Sequence, residues 1–326
     1  MMRLRFLPDP FTLVLAAVVV AATVLPCRGA WAIGFDRVTN LAIGLLFFMH
    51  GAKLSREAVL AGLTHWRLHL AIFLCTFAMF PLLALLLRPV LLPLVTPELY
   101  VGILFLSALP ATVQSAIAFT SMARGNVSAA VCSASGSSLI GIVLTPLLVG
   151  LLLSQHGSAA ASFEAIRSIV LQLLLPFVAG QVARRWIGPW IERHRAALST
   201  VDRSSILLVV YTAFSEATIQ GLWHQVPLQA LAGLLLACAV ILGLALGFTT
   251  LLARRLGFDT PDEITMVFCG SKKSLASGIP MARVLFASQA VGAVVLPLML
   301  FHQLQLMVCA VLAQRYAARP RGAEAG

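Results

Sequence analysis

Val267-Phe268-Cys269-Gly270-Ser271-Lys272-Lys273-Ser274-Leu275-Ala276 sets two adjacent lysines in the middle of an apolar segment spanning 264–286. Apolar residues extend about half a membrane thickness to either side. Burying an ammonium at that depth costs roughly 3 kcal/mol even on conservative insertion scales, unless it is paired or hydrated. The chain has only three lysines, and two of them stand here. Gly270 weakens the helix just before them. The segment therefore reads as a membrane helix interrupted at mid-depth by a polar block with a function.

The rest of the chain has the composition such a helix needs. Of its 326 residues, 60% are hydrophobic and 11% charged, with a mean hydropathy of +0.96. A soluble domain cannot hide that much apolar surface behind so little polar skin, whereas a bilayer solvates it directly. Ten apolar segments follow one another, at 11–25, 38–54, 66–87, 99–123, 127–153, 166–183, 205–222, 227–252, 264–286 and 290–312. Short connections join them, the longest (184–203) being amphipathic and basic. The net charge of +11 is spread as small groups between apolar runs. That pattern anchors a membrane protein at the cytoplasmic face and excludes a nucleic-acid patch. Six cysteines lie mostly inside apolar runs without metal spacing and read as packing residues.

A second interruption lies in the fourth segment, at Ser107-Ala108-Leu109-Pro110-Ala111-Thr112-Val113-Gln114-Ser115. Pro110 removes a backbone donor there. Thr112-Val113-Gln114-Ser115 runs on to Met122-Ala123-Arg124, just as Ser271-Lys272-Lys273-Ser274 runs on, at the same spacing, to Met281-Ala282-Arg283. Each block stands in the fourth helix of a five-helix half, residues 1–153 and 154–326. An odd number of helices per half inverts the second relative to the first. Backbone groups freed in mid-membrane are tolerated only where they face protein, water or ligand. Paired interruptions in inverted halves point to a transporter's midplane site. Thr112, Gln114, Ser115, Ser271, Lys272, Lys273 and Ser274 are its expected lining.

Lys and Arg, counted by side, put both termini in the cytoplasm: Arg3, Arg5, Lys53, Arg56, Arg184, Arg254 and Arg321 fall on one face, Arg88, Arg167 and Arg283 on the other. A rival reading makes the first segment a cleaved signal ending near Ala30-Trp31-Ala32. The repeat needs this helix, so it is expected to be retained. Glu216 is the one carboxylate placed well inside a span and the expected partner of a buried lysine. Ser133, Ser137 and Gly141 form a small-polar stripe, read either as tight packing or as ion ligands. His50 and His302 read as packing or interfacial residues.

Leu109-Pro110-Ala111-Thr112-Val113-Gln114-Ser115, Leu144-Thr145-Pro146, Tyr211-Thr212-Ala213-Phe214-Ser215-Glu216 and, above all, Gly270-Ser271-Lys272-Lys273-Ser274 resemble the bile acid:sodium symporter family. The lysine block is closest to its divergent, seventh-member-like branch, which has many bacterial members. The resemblance covers nearly the whole chain. It implies an all-α membrane fold of ten helices as two inverted five-helix repeats. Helices one, two, six and seven would form a panel domain, and the other six a core domain in which broken helices four and nine cross. It also implies a bacterial inner-membrane location and cotransport of sodium with organic anions.

The departures are specific. The glutamate of typical sodium-dependent members has its place near Val267-Phe268-Cys269, and their Gln-Asn pair is replaced by Lys272-Lys273. Two hydroxyl ligands fall on Ala130 and Ala134. At most one sodium site is expected, near Gln114 and Ser115, and a buried ammonium offers proton exchange instead. The expectation is a symporter-like carrier of a small organic anion, coupled to sodium or protons, in a lipid bilayer, with no further cofactor, no nucleic-acid partner and an open oligomeric state. The branch's association with calcium homeostasis leaves a non-transporting membrane regulator as the alternative. Paired acids and metal-spaced histidines, which an enzyme would need, are missing from the sequence.

Overall fold

The computed structural model describes residues 10–53, 65–154, 170–222, 226–286 and 291–319, and among them every regular element is helical. The longer helices are α1 (Pro10–Val24), α2 (Gly29–Lys53), α3 (Trp66–Leu86), α4 (Pro97–Ala108), α5 (Gln114–Met122), α6 (Val127–Ser154), α7 (Leu175–Arg193), α8 (Arg195–Ile219), α9 (Leu228–Arg255), α10 (Thr260–Gly270), α11 (Leu275–Leu285) and α12 (Val291–Ala317). Six of them, α2, α3, α6, α8, α9 and α12, are long and apolar enough to cross a membrane. The protein is a multi-pass membrane protein. Two apolar segments of the sequence are each split in two, 99–123 into α4 and α5 and 264–286 into α10 and α11.

The outer surface shows why a bilayer is required. Leu13, Leu41, Trp66, Leu86, Leu147, Trp186 and Leu228 are among many large apolar side chains left exposed. A soluble monomer rarely presents so much contiguous apolar surface, and lipid is the solvent that accepts it.

The connection expected over 184–203 is corrected. α7 continues to Arg193, a single turn at His194 follows, and α8 starts at Arg195. The stretch is amphipathic rather than helix-breaking: Arg184 donates to the Ala52 carbonyl at 2.9 Å, Arg185 lies over the Trp186 ring, and Trp190 is exposed. Arg and Trp at a helix end suit the membrane–water boundary. The sequence expectations for Arg3, Arg5, Arg56, Arg167 and Arg321 lie outside the described residues.

Packing falls into recognisable groups. α2 lies against α7 and α8, and α8 against α1. α4 packs on α12, α9 on α10 and α12, and α5 on α6 and α10. The α2–α7 contact is backbone to backbone: a Cβ on Gly51 would stand 2.0 Å from the Phe177 carbonyl oxygen, and one on Gly180 1.9 Å from that of Phe48. In lipid, where no hydrophobic force drives helices together, small residues at such crossings supply the attraction. Gly180→Val should therefore push α2 and α7 apart and cost about 1–3 kcal/mol. The readout is the melting temperature in detergent; an unchanged value would show that the contact carries no stability.

Candidate functional site

α4 stops because Pro110 has no N–H and Leu109 is extended (φ −72°, ψ 153°). α10 stops at Gly270–Ser271, and α11 restarts with Ser274 as its N-cap, its Oγ accepting from the Ser277 N–H at 3.2 Å. The two breaks touch: the Ser274 N–H donates to the Pro110 carbonyl at 2.9 Å.

Breaking two helices in lipid frees backbone groups that must be satisfied by the protein, and most can be traced. The Ala111 N–H donates to Ser137 Oγ at 3.0 Å. Thr145 Oγ1 donates to the Ala108 carbonyl at 2.8 Å. Gln305 bonds both backbone groups of Lys273, accepting from its N–H and donating to its carbonyl, each at 2.9 Å. The small-polar stripe on α6 thus serves the break. Ser137 fills a backbone valence, and Gly141 makes room for Pro110, whose Cβ would lie 2.7 Å from a Cβ at 141. Ser133 is engaged elsewhere, with His69 Nδ1 at 2.6 Å.

Both lysines are completely buried. Lys273 Nζ donates to three carbonyls, Thr76 at 2.6 Å and Ser107 and Leu109 at 2.7 Å each, and lies 4.2 Å from the Phe80 ring centroid. Lys272 Nζ donates to the Ser115 carbonyl at 3.0 Å and stands 3.9 Å from the Phe119 ring centroid. A hydrogen bond involving a charged group contributes about 1.5–3 kcal/mol, and a desolvated cation–π contact about 2 kcal/mol. For Lys273 three such bonds offset a desolvation cost of several kcal/mol.

The pairing of Glu216 with a buried lysine is corrected. Glu216 is bonded to Arg283 Nη1, and Arg283 Nη2 reaches Asp36 at 2.5 Å. Arg283 on α11 thus ties together α2 and α8, with 14% of its side chain exposed. At the far end of the same two helices, Lys53 of α2 is paired with Asp202 of α8. Carboxylates near the ends of helices meet the cations that share their depth, and the lysines, held by backbone carbonyls, need no carboxylate.

A cavity of about 700 Å³ reaches from Lys53, Asp202 and Arg203 down to the two breaks. Thr112, Gln114, Ser115 and Ser274, all expected from the sequence, line it, together with Ser277, His50, His302 and Gln303. Phe11, Phe47, Phe177 and Met307 supply apolar walls. Ser271, Lys272 and Lys273 are not among the lining residues. Ser271 Oγ turns back to the Val267 carbonyl at 2.5 Å, the Lys272 ammonium lies against Ser115 and Phe119 of the cavity wall, and the Lys273 ammonium is held by the Thr76, Ser107 and Leu109 carbonyls. The first turns of α5 and α11 face the cavity, and α5 starts without a side-chain cap. The Ser115 carbonyl, part of the expected sodium site, already accepts from Lys272, and its hydroxyl is bonded to Thr112 at 2.8 Å. Gln305 and Asp36 were missed by sequence reasoning; the signal for Gln305 was the pair of amides, Gln303 and Gln305, in the apolar run of α12.

Apolar helices, two of them broken and joined beneath a solvent cavity, define a membrane transporter rather than an enzyme. The chain matches the SBF-like CPA transporter family over residues 9–318 and belongs to that family. It is 70% identical over 319 residues to uncharacterized protein PA2026 of Pseudomonas aeruginosa, covering 98% of this chain and 96% of that one. YfeH of Escherichia coli strain K12, provisionally named a symporter, is 57% identical over 318 residues, 97% of this chain and 95% of its own. Sodium/bile acid cotransporter 7 of Rattus norvegicus is 31% identical over 283 residues, 84% and 82% of the two chains. The protein is thus a member of a transporter family.

Proposed function

We propose that the protein carries a small organic anion by alternating access, coupled to sodium or to protons. The observation that carries this reading is the cavity between α1, α2, α7 and α8 on one side and the broken segments on the other, ending on Thr112, Gln114, Ser115 and Ser274. Two helix N-termini converge there, and their partial positive charge favours an anionic group. The aromatic and aliphatic walls suit an apolar body attached to it. α1, α2, α7 and α8 would act as a panel against which the remaining helices, as a core, move. The matched blocks at 112–124 and 271–283 support two inverted repeats, 1–153 and 154–326. The arginine count supports cytoplasmic termini in a bacterial inner membrane. Of the proposed contacts, Gln114 is the most direct, since its side chain is exposed within the cavity.

Uptake of a panel of organic anions into proteoliposomes, driven separately by a sodium gradient and by a pH gradient, tests the reading. Gln114→Leu should lower uptake about tenfold, the loss of one or two hydrogen bonds to a charged solute, with the melting temperature unchanged. No uptake of any anion under either gradient, from folded protein, would count against it.

A further inference from the structure

We propose that Lys273 is a tethered cation: its ammonium fills, from within the chain, a three-carbonyl cation site where α3, α4 and the α10–α11 break meet. The three oxygens converge because each carbonyl has lost helical partners. Thr76 lies in a π-turn, Cys75–Met79, and the residue five positions on is Pro81, which has no N–H. For Ser107 the residue three positions on is Pro110, and the N–H four positions on, at Ala111, is taken by Ser137. Leu109 precedes Pro110 in an extended conformation that leaves its carbonyl outside either helix. Three convergent carbonyl dipoles form a ligand set for a hard cation.

The chemistry matches the group that fills it. An ammonium has three N–H donors and no acceptor, and each donor meets one oxygen, at 2.6, 2.7 and 2.7 Å. A neutral amine has two donors and would leave one carbonyl facing a lone pair. Phe80 and Phe77 cover the remaining side of the charge at 4.2 and 5.9 Å. Gln305 holds the Lys273 backbone on both its N–H and its carbonyl, so the side chain is aimed by the same polar lock that closes the break. A free ion in such a cage would be taken up and released in a cycle. A tethered one stays, and this site contributes no ion to coupling. That consequence rests on the carrier reading above, but the cage itself is tested without transport.

Lys273→Ala removes Cγ to Nζ, the fragment that n-propylammonium replaces. Melting temperatures in detergent are compared for wild type and Lys273→Ala in chlorides of choline, sodium and n-propylammonium at equal ionic strength. Lys273→Ala should melt well below wild type in choline and recover a saturable part of the loss in n-propylammonium, while wild type shows no such rise. Recovery in sodium as well would mark the cage as one that accepts a metal once emptied. If Lys273→Ala does not survive purification in choline, the yield of monodisperse protein prepared in n-propylammonium or sodium is read instead. The proposal is overturned if neither cation restores stability or yield, or if wild type gains as much as the variant.

Discussion

Lys273→Met should lower stability by roughly 3–5 kcal/mol, since three buried carbonyls lose their one shared donor, read as a fall in melting temperature or in resistance to denaturing detergent. Methionine keeps the apolar stem and removes the burden of a buried charge, which works in the protein's favour. Against that, the Thr76, Ser107 and Leu109 carbonyls lose their donor together. Each unsatisfied buried carbonyl costs about 1–3 kcal/mol, so the loss outweighs the relief. The geometry also fixes how the effect combines with others. Glu216 belongs to Arg283 and not to Lys273, so Lys273→Met and Glu216→Gln should be additive within about 0.5 kcal/mol. A coupling energy above about 1 kcal/mol would show that the two side chains share a partner in the functioning protein.

Arg283→Met should act on conformation more than on stability. Asp36 and Glu216 have 43% and 36% of their side chains exposed, so water screens both pairs and the stability loss should stay near 1 kcal/mol. The ion cluster nonetheless joins α11, which follows the second break, to α2 and α8 across the cavity's closed end. Without the guanidinium two carboxylates face each other there, and that end should open more often. A shift of about 1.4 kcal/mol between closed and open forms is a tenfold change in population. Ser215, buried beside Glu216, is a suitable reporter. In a Cys27→Ser background, Ser215→Cys should react about tenfold faster with an impermeant maleimide when combined with Arg283→Met. Unchanged labelling with a lowered melting temperature would make the cluster a structural clamp only.

The Lys53–Asp202 pair at the opposite end of the same helices gives the arrangement its asymmetry. The cavity reaches Lys53, Asp202 and Arg203 but not Asp36, Glu216 or Arg283. On the carrier reading proposed above, a cavity that reaches the Lys53–Asp202 end and not the Arg283 cluster is one of the two states that alternating access requires.

The sequence alone determined the solvent of this protein, most of its apolar segments and the two places where they break. Those properties are local: hydropathy over about 20 residues reports a span, and Pro110 or Gly270 acts on its own helix whatever surrounds it. It also marked Lys272-Lys273 as chemistry, because two ammonium groups at mid-depth have few inexpensive explanations. Partnership was not legible. Glu216 looked like the counter-charge of a lysine because it was the carboxylate nearest mid-depth, yet depth along one helix says nothing about which neighbour a side chain faces. Arg283 was counted only by its side of the membrane, and nothing in its position along the chain said that its guanidinium bridges Asp36 of α2 and Glu216 of α8. Ser137 stood out only as part of a small-polar stripe, Thr145 only as part of a motif, and Gln305 not at all. Their role appears only when three separate helices bring freed backbone groups to within hydrogen-bond reach. Only tertiary structure decided that the lysines stand behind the cavity rather than in it. A backbone carbonyl carries no sequence signature, and Lys273 is held by three of them.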